Sequence, residues 1–275
     1  MTPLRHPGPK AVDRFTAIPC RALLRAFTLR AGRSLADAVV EACAQAGFNA
    51  AYLRVAGARL SHADYVIPAA AQGDGRAAWY SRTHSIDDAE ILDAGIHLGV
   101  KDGAPFLHCH AILRGADGQV RLGHLLCPQT VLAEDVQVDG WGISGARYVV
   151  THDTETGFDL FRPEATADQH GGGNALLCTL RPNEDIHALI GQMTDRPMLI
   201  EGIGSLVGTI FQDSAISSYA TEILLERGHV ADSLVKLKAA SVGFDGIMQQ
   251  GVLQAGSNHI CITAELLLIE SAHSG

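Results

Sequence analysis

The sequence predicts an α/β (α+β) protein made of two tandem units, each a mainly antiparallel sheet with one helix packed on it. A Thr-Leu-Arg motif followed by a helical pattern occurs twice, at residues 28–30 and 179–181, and an apolar strand ending in glycine follows each helix. The later strands alternate in polarity and end at Gly or Asp-Gly turns. That pattern is typical of antiparallel or mixed sheets.

Both helices have recognisable start signals. Ser34 is a typical N-cap with Asp37 three residues later, and Gly47 is a typical C-terminal stop. Asp185 caps a shorter helix in the second unit. The apolar positions at helical spacing are Leu35, Ala38, Val39, Ala42 and Cys43 in the first helix and Ile186, Leu189, Ile190 and Met193 in the second.

Further matched motifs follow in the same order in both units, and they set the predicted boundaries. The matched pairs are Glu90 with Glu222, Asp117 with Asp245, and Glu134 with Glu265. The spacing between partners drifts along the chain, which small deletions in loops would produce. We expect an N-terminal extension (1–19), a first unit (20–143), a connector rich in Gly and Thr with at most two strands (144–172) and a second unit (173–271).

Composition limits the class of protein. The 275 residues are 47% hydrophobic and 19% charged, which provides for a buried core and argues against disorder. The net charge of −9 has the wrong sign for binding phosphate backbones, so nucleic acid is not an expected partner. No stretch reaches the ~18 apolar residues of a membrane helix. Six scattered cysteines without a CxxC pair indicate reduced thiols, and we expect a cytoplasmic protein without membrane contact.

Three histidines lie on a predicted β-hairpin. Alternate residues of a strand face the same side, so His108 and His110 project together while Cys109 points away. His124 lies on the returning strand. An odd loop, such as residues 116–118, would make His124 the cross-strand neighbour of His110, whereas an even loop would place it on the opposite face. Three imidazoles with an open position suit a catalytic-type zinc site; three histidines that merely share a hairpin are the alternative that spacing leaves open.

The second unit serves as an internal comparison. The positions that correspond to the three histidines are Lys236, Lys238 and Val252, so all three imidazoles are missing there. Residues lost together behave as one functional set, and we expect one metal site per chain.

Other charged residues near the hairpin are weaker candidates. Glu90 and Glu134 are the nearest candidates for a general acid or base, but their counterparts in the second unit favour a scaffold role. Arg114 and Arg121 could bind an anionic ligand, with solvated surface charge as the alternative reading.

The order of these motifs resembles the plants and prokaryotes conserved (PPC) domain family. The segments that carry the resemblance are 106–110, 117–119 and 123–125, within a match that runs from about residue 27 to residue 138. The second unit matches only in its skeleton and resembles a degenerate copy. The family includes bacterial proteins labelled as DNA-binding and domains of unknown function, and the acidic charge of this chain argues against that label here.

The resemblance implies an antiparallel α/β unit, self-association as a homotrimer or another homo-oligomer, and zinc on His108, His110 and His124. The fold is also similar to that of zinc-dependent acetolactate decarboxylases. Two functions follow as hypotheses. The first is a zinc-binding assembly module of unknown ligand. The second is a zinc-dependent lyase (decarboxylase-like) or hydrolase acting on a small oxo- or carboxylic acid, for which an acid or base beside the metal would be the discriminating feature.

Overall fold

The structure, a computed structural model, describes residues 3–167 and 173–271, so residues 168–172 of the predicted connector lie outside the described part. Two helices are present, α1 (Leu35–Gln45) and α2 (Ile186–Met193). The strands are β1 (Phe15–Leu29), β2 (Ala51–Val55), β3 (Ala58–Val66), β4 (Pro68–Ala70), β5 (Ala78–Tyr80), β6 (His84–Lys101), β7 (Ala104–Arg114), β8 (Val120–Leu125), β9 (Val131–Leu132), β10 (Val136–Ser144), β11 (Ala146–His152), β12 (Asp159–Ala165), β13 (Ala175–Leu180), β14 (Met198–Leu206), β15 (Thr209–Ile210), β16 (Ala215–Ile216), β17 (Thr221–Ala231), β18 (Leu234–Val242), β19 (Met248–Val252) and β20 (Ile260–Glu270).

Both helices begin at the predicted caps. The Ser34 hydroxyl accepts from the backbone N–H of Asp37 at 3.0 Å, and the Asp185 carboxylate accepts from that of Ala188 at 2.9 Å. The five predicted apolar residues of α1 are its buried residues. Each helix therefore packs one apolar stripe on the sheet, as its sequence period predicts. Among the described residues, neither helix has the length and apolar character needed to cross a membrane.

The strands that fall within the two predicted units, called the first and second unit below, follow one another in the same order across the main sheet. In the first unit the order is β1-β10-β2-β6-β7-β8, and in the second unit it is β13-β20-β14-β17-β18-β19. The ladders are antiparallel except for one parallel bridge between β11 and β6. The sheet is therefore antiparallel apart from this single bridge, which makes it formally a mixed sheet.

Strand β1 joins the two units into one sheet. Its first part, from Phe15 to Cys20, pairs with β13 of the second unit, and its second part pairs with β10 of the first. The strand therefore begins five residues before the predicted start of the first unit, because the extra residues complete the ladder of the second. The Asn174 side chain extends this junction by exchanging two hydrogen bonds with the backbone of Ala22, at 2.9 and 3.0 Å.

The connector contributes a hairpin of β11 and β12 that is fixed by buried ion pairs. Asp153 pairs with Arg162 and, at 3.2 Å, with Arg181. Glu155 pairs with Arg14 of the N-terminal segment at 2.9 Å. These contacts tie three separate parts of the chain together, and they hold the connector against the second unit.

The sheet curls so that the two units pack face to face. Ile203, Leu224 and Val242 of the second unit belong to the hydrophobic core around α1. Gly95 of β6 allows the close approach, since a Cβ there would lie 2.9 Å from Cδ1 of Leu224 and 2.4 Å from the Tyr52 hydroxyl. The face of β6 and β7 is consequently covered by the second unit instead of by solvent.

Candidate metal centre

The histidine hairpin consists of β7 and β8, and its register brings two imidazoles together. His110 and His124 are cross-strand partners. The backbone N–H of Gly115 donates to the Gln119 carbonyl at 3.1 Å, which leaves residues 116–118 as the loop. The hairpin thus has the odd loop of the two alternatives that the sequence left open, and His108 shares the same face because it precedes His110 by two residues.

The three imidazoles converge on one point. One ligand nitrogen from each of His108, His110 and His124 lies within 4.8 Å of the others. The ring centroids are 4.8 to 5.6 Å apart. Within residues 3–167 and 173–271, these three side chains are the one group with the composition and spacing of a metal site. An arrangement of three imidazole nitrogens suits zinc with an open position.

Residues of the second unit lie against two of the rings. The Nδ1–H of His110 donates to the carbonyl oxygen of Ile223 at 2.8 Å, which leaves the Nε2 lone pair free. Nδ1 of His108 lies 3.2 Å from Oε2 of Glu265, and Nε2 of His108 is buried with no partner among the described residues. An orphaned buried nitrogen is costly, and a metal ion would satisfy it. The residues therefore fit a bound metal.

Burial keeps the imidazoles in the form that binds metal. It lowers the pKa of His110 to about 3, with the nearby His108 as a second cause, and it lowers the pKa of His124 well below its usual value. Both rings are therefore neutral at neutral pH, and their lone pairs are available without loss of a proton.

Two carboxyl groups of the second unit complete the polar end of the site. Oε1 of Glu222 lies 3.8 Å from Nε2 of His110, and its Oε2 is buried without a partner in the described part of the chain. Burial raises the pKa of Glu222 to about 8, partly offset by a hydrogen bond from the backbone N–H of His124. Glu265 accepts from the Thr263 hydroxyl at 3.3 Å, and its carbonyl accepts from Nε2–H of His97 at 3.1 Å. His97 thus contacts the backbone of Glu265 and does not face the three imidazoles as a fourth ligand.

The site lies at one end of a cavity of about 280 Å³. The first unit supplies the histidines, the second unit supplies the two glutamates with Ser205 and Thr263, and five aromatic residues form a large part of the remaining wall. The aromatic residues are Trp79 and Tyr80 of β5, Phe106 of β7, and Phe158 and Phe161 of the connector hairpin. The Tyr80 hydroxyl lies 3.4 Å from Nδ1 of His124. The site is therefore assembled from both units and the connector.

The other predicted site residues do not line this cavity. Glu90 forms an ion pair with Arg114 at 3.2 Å, and Arg121 forms one with Asp117 at 2.5 Å. Glu134 is exposed after β9. The two arginines flank the turn at the far end of the hairpin, and their charges are used by local carboxylates. Neither the acid–base role of Glu90 and Glu134 nor the ligand-binding role of Arg114 and Arg121 agrees with these positions.

The carboxylates at the site were assigned a scaffold role from the sequence because each has a matched residue in the first unit. The match of Glu90 to Glu222 agrees with the registers, since Glu90 pairs with Arg114 as Glu222 pairs with Val242. The match of Glu134 to Glu265 does not agree with the registers. Thr28 and Thr179 are matched residues, but Thr179 pairs with Glu265 and Thr28 pairs with Gln137. Gln137 is therefore the residue that corresponds to Glu265. A sequence signal could have identified both cavity glutamates, because Glu222 and Glu265 each lie inside an otherwise apolar strand, in the segments TEILL and TAELLLI.

The corresponding positions of the second unit keep the geometry without the ligands. Lys238 pairs with Val252 as His110 pairs with His124. Lys236 and Lys238 are exposed, and Lys238 lies 3.4 Å from Glu226. This face of the second unit therefore has no equivalent of the buried cavity.

Comparisons with known proteins find one matching family model, which covers less than half of the chain. Residues 24–138 match this model, which is described as the Plants and Prokaryotes Conserved (PCC) domain, the domain abbreviated PPC above. A metal-containing protein of Archaeoglobus fulgidus is 24% identical, covers 53% of this chain and 97% of its own, and has a TM-score of 0.40. A PPC protein of Pyrococcus horikoshii is 17% identical, with 56% and 97% covered and a TM-score of 0.38.

A third solved structure, named as a candidate DNA-binding protein of Ralstonia eutropha JMP134, is 16% identical to this chain. It covers 50% of this chain and 89% of its own, with a TM-score of 0.40. No curated protein matches the chain.

The contact between Glu265 and His108 predicts an effect on metal affinity. Glu265→Gln removes the negative charge beside Nδ1 of His108, and we expect zinc affinity to fall by about 10- to 100-fold. Competition with a chelator of known zinc affinity measures the change. Glu134→Gln, an exposed glutamate outside the cavity, is the matched control and should retain the wild-type affinity. Equal affinity of wild type and folded Glu265→Gln protein would contradict the assigned contact.

Proposed function

We propose that this chain, whose residues 24–138 form a PPC domain, is a zinc-binding protein with one zinc per chain on His108, His110 and His124. The observation that carries the proposal is the convergence of three imidazole nitrogens within 4.8 Å, one of them buried without a partner. The donor set supports zinc, because three imidazoles with an open position are typical of catalytic zinc sites. The six cysteines are free and buried, which supports the cytoplasm as the compartment.

We further propose that the centre is catalytic, as a zinc-dependent lyase (decarboxylase-like) or hydrolase acting on a small oxo- or carboxylic acid. Zinc at such a site polarises a carbonyl or carboxylate oxygen and lowers the pKa of bound water. A carboxyl group beside the open position is the feature that separates an enzyme from a binding module. Glu222 meets this requirement, since its Oε2 is buried at the cavity and free of other partners among the described residues.

In this proposal, different side chains of the cavity orient the histidines, transfer the proton and exclude water. Glu265 and the Ile223 carbonyl fix the orientation of His108 and His110. Glu222 donates or accepts the proton at Oε2 while the substrate reacts. The aromatic wall limits the entry of water, which strengthens every electrostatic interaction inside the cavity.

The second unit supports a further proposal about origin and assembly. Because both units share one strand order, we propose that the second unit is a degenerate copy of the first. Its outer strands β18 and β19 expose Leu234, Ile247 nearby and Val252, of which the first two are each 62% exposed. Exposed apolar side chains along a sheet edge favour self-association. We propose a homo-oligomer that buries this edge.

The oligomer proposal is tested by size-exclusion chromatography with light scattering. We expect a mass that is a multiple of the 29.1 kDa chain. Leu234→Lys and Ile247→Lys together should lower that mass, because charge on an apolar interface opposes association. A wild-type mass of one chain at micromolar concentration would contradict the proposal.

The zinc proposal is tested by elemental analysis of protein purified without a metal-affinity tag. We expect about one zinc per chain in wild type and none in His108→Ala/His110→Ala, because two of the three ligands are lost. His62→Ala/His152→Ala removes two histidines that lie outside the cavity and is the matched control. Folded wild type that takes up no zinc on addition would overturn the proposal.

The catalytic proposal is tested with Glu222→Gln. This change keeps the shape of the side chain but removes its proton transfer, so turnover should fall by about 10²- to 10⁴-fold while zinc content stays at the wild-type value. Turnover is measured on a panel of small oxo-acids, carboxylic acids and their esters. If zinc-loaded wild type converts no member of the panel, the enzyme proposal fails and the zinc-binding module is the function.

A further inference from the structure

The lining of the cavity combines two kinds of side chain. The three imidazoles, Glu222 and Glu265 are polar, whereas aromatic rings come from three segments of the chain. Two of these rings, Tyr80 and Phe161, lie against His124 and His108. Trp79 and Phe158 pack with ring centroids 5.7 Å apart, and Phe106 contacts Phe161 edge to face at 5.8 Å. A ligand that fills the space must therefore combine a polar head with an apolar body.

The aromatic wall is fixed in place. The Arg76 guanidinium lies over the rings of both Trp79 and Phe158, at 4.6 and 5.2 Å from their centroids. Its Nε–H donates to the carbonyl of Gly157 at 2.9 Å, and Nη1–H donates to Asp74 at 2.7 Å. These contacts lock the hairpin of β4 and β5 to the connector. A wall that is formed before binding favours a rigid apolar group, because little ordering cost remains.

The volume limits the size of that group. A cavity of about 280 Å³ exceeds the about 150 Å³ in which an apolar site can bind benzene. The difference leaves room for a head of a few atoms at the histidines. One six-membered ring or a compact branched alkyl group fits within this volume together with such a head.

The charges limit the head. No lysine or arginine is among the residues that line the cavity in the described part of the chain, where Glu222 and Glu265 are buried acidic residues and the exposed Asp159 pairs with Lys101 at 3.5 Å. A zinc ion on the three histidines would therefore be the positive charge at this place, with Glu265 against one of its ligands. A head with one negative charge or none can be accommodated, whereas a phosphate monoester or a dicarboxylate would leave charge buried without a partner.

We propose that the cavity takes a neutral or singly charged carbonyl or carboxylic compound that carries one aromatic or compact branched apolar group. The head lies at the three histidines and the apolar group lies against Trp79 and Phe158. This inference rests on the proposed zinc function and adds the substrate class to it. Small polar acids and multiply charged acids are excluded as the preferred ligands.

The test is isothermal titration calorimetry of zinc-loaded protein with benzoate, acetate and phthalate. Benzoate should bind at least tenfold more tightly than acetate, since its ring adds apolar contact, and at least tenfold more tightly than phthalate, whose second carboxylate has no partner. Equal binding of benzoate and acetate, or tighter binding of phthalate, would overturn the inference.

Variants separate the wall from the metal. Phe158→Ala should weaken benzoate at least fivefold and leave acetate within twofold, whereas Phe15→Ala, at the start of β1 and outside the cavity, should change neither. Phe158→Leu provides a milder truncation if the alanine variant does not fold. Unchanged benzoate affinity in both folded Phe158 variants would also overturn the inference.

Zinc content measured on the same samples distinguishes failure of the inferred substrate class from failure of the proposed zinc function. One zinc per chain without a preference for benzoate removes the substrate class and leaves the zinc site intact. Absence of zinc removes the proposed function and the inference with it. Unchanged benzoate binding by His108→Ala/His110→Ala would contradict the placement of the head at the histidines.

Discussion

The contact between imidazoles of the first unit and carboxyl groups of the second is the interaction on which the site depends. His108 faces Glu265 and His110 faces Glu222, and all four side chains are withdrawn from solvent. Buried carboxylates are costly unless a positive charge compensates them. The described cavity residues include no lysine or arginine. A divalent cation on the three imidazoles would supply the missing charge, which physically connects the buried glutamates to the histidine cluster.

The fold serves this contact by bringing distant parts of the chain together. Strand β1 joins both units into one sheet, and Gly95 lets β17 approach β6 closely enough for Glu222 to reach His110. The two units share a strand order but use matched positions differently. His110 corresponds to an exposed lysine, Lys238, while Glu222 corresponds to Glu90, which is paired with a surface arginine. One unit thus carries the ligands and the other carries the groups that hold and assist them.

Local sequence signals predicted the features that depend on local geometry. The caps of both helices follow from side-chain hydrogen bonds to nearby backbone. The pairing of His110 with His124 was one of two alternatives that the sequence left open, and the odd loop of the structure selects it. The partners of the histidines could not be predicted this way, since Glu222 lies more than a hundred residues away along the chain. Proximity in sequence to the histidines also suggested Arg114 as a ligand-binding residue, which its position does not support. Arg114 is four residues from His110, but an extended strand rises about 3.3 Å per residue, which places it about 13 Å away.

Zinc-edge anomalous diffraction from crystals of zinc-loaded protein locates the metal itself. We expect one strong peak per chain at about 2.0 to 2.1 Å from a nitrogen of each of His108, His110 and His124. Glu265 should remain on His108, and Glu222 should lie beside the open position. A peak at another group, such as His62 with Asp64 and Asp87, or the absence of a peak at the three histidines, would contradict this prediction.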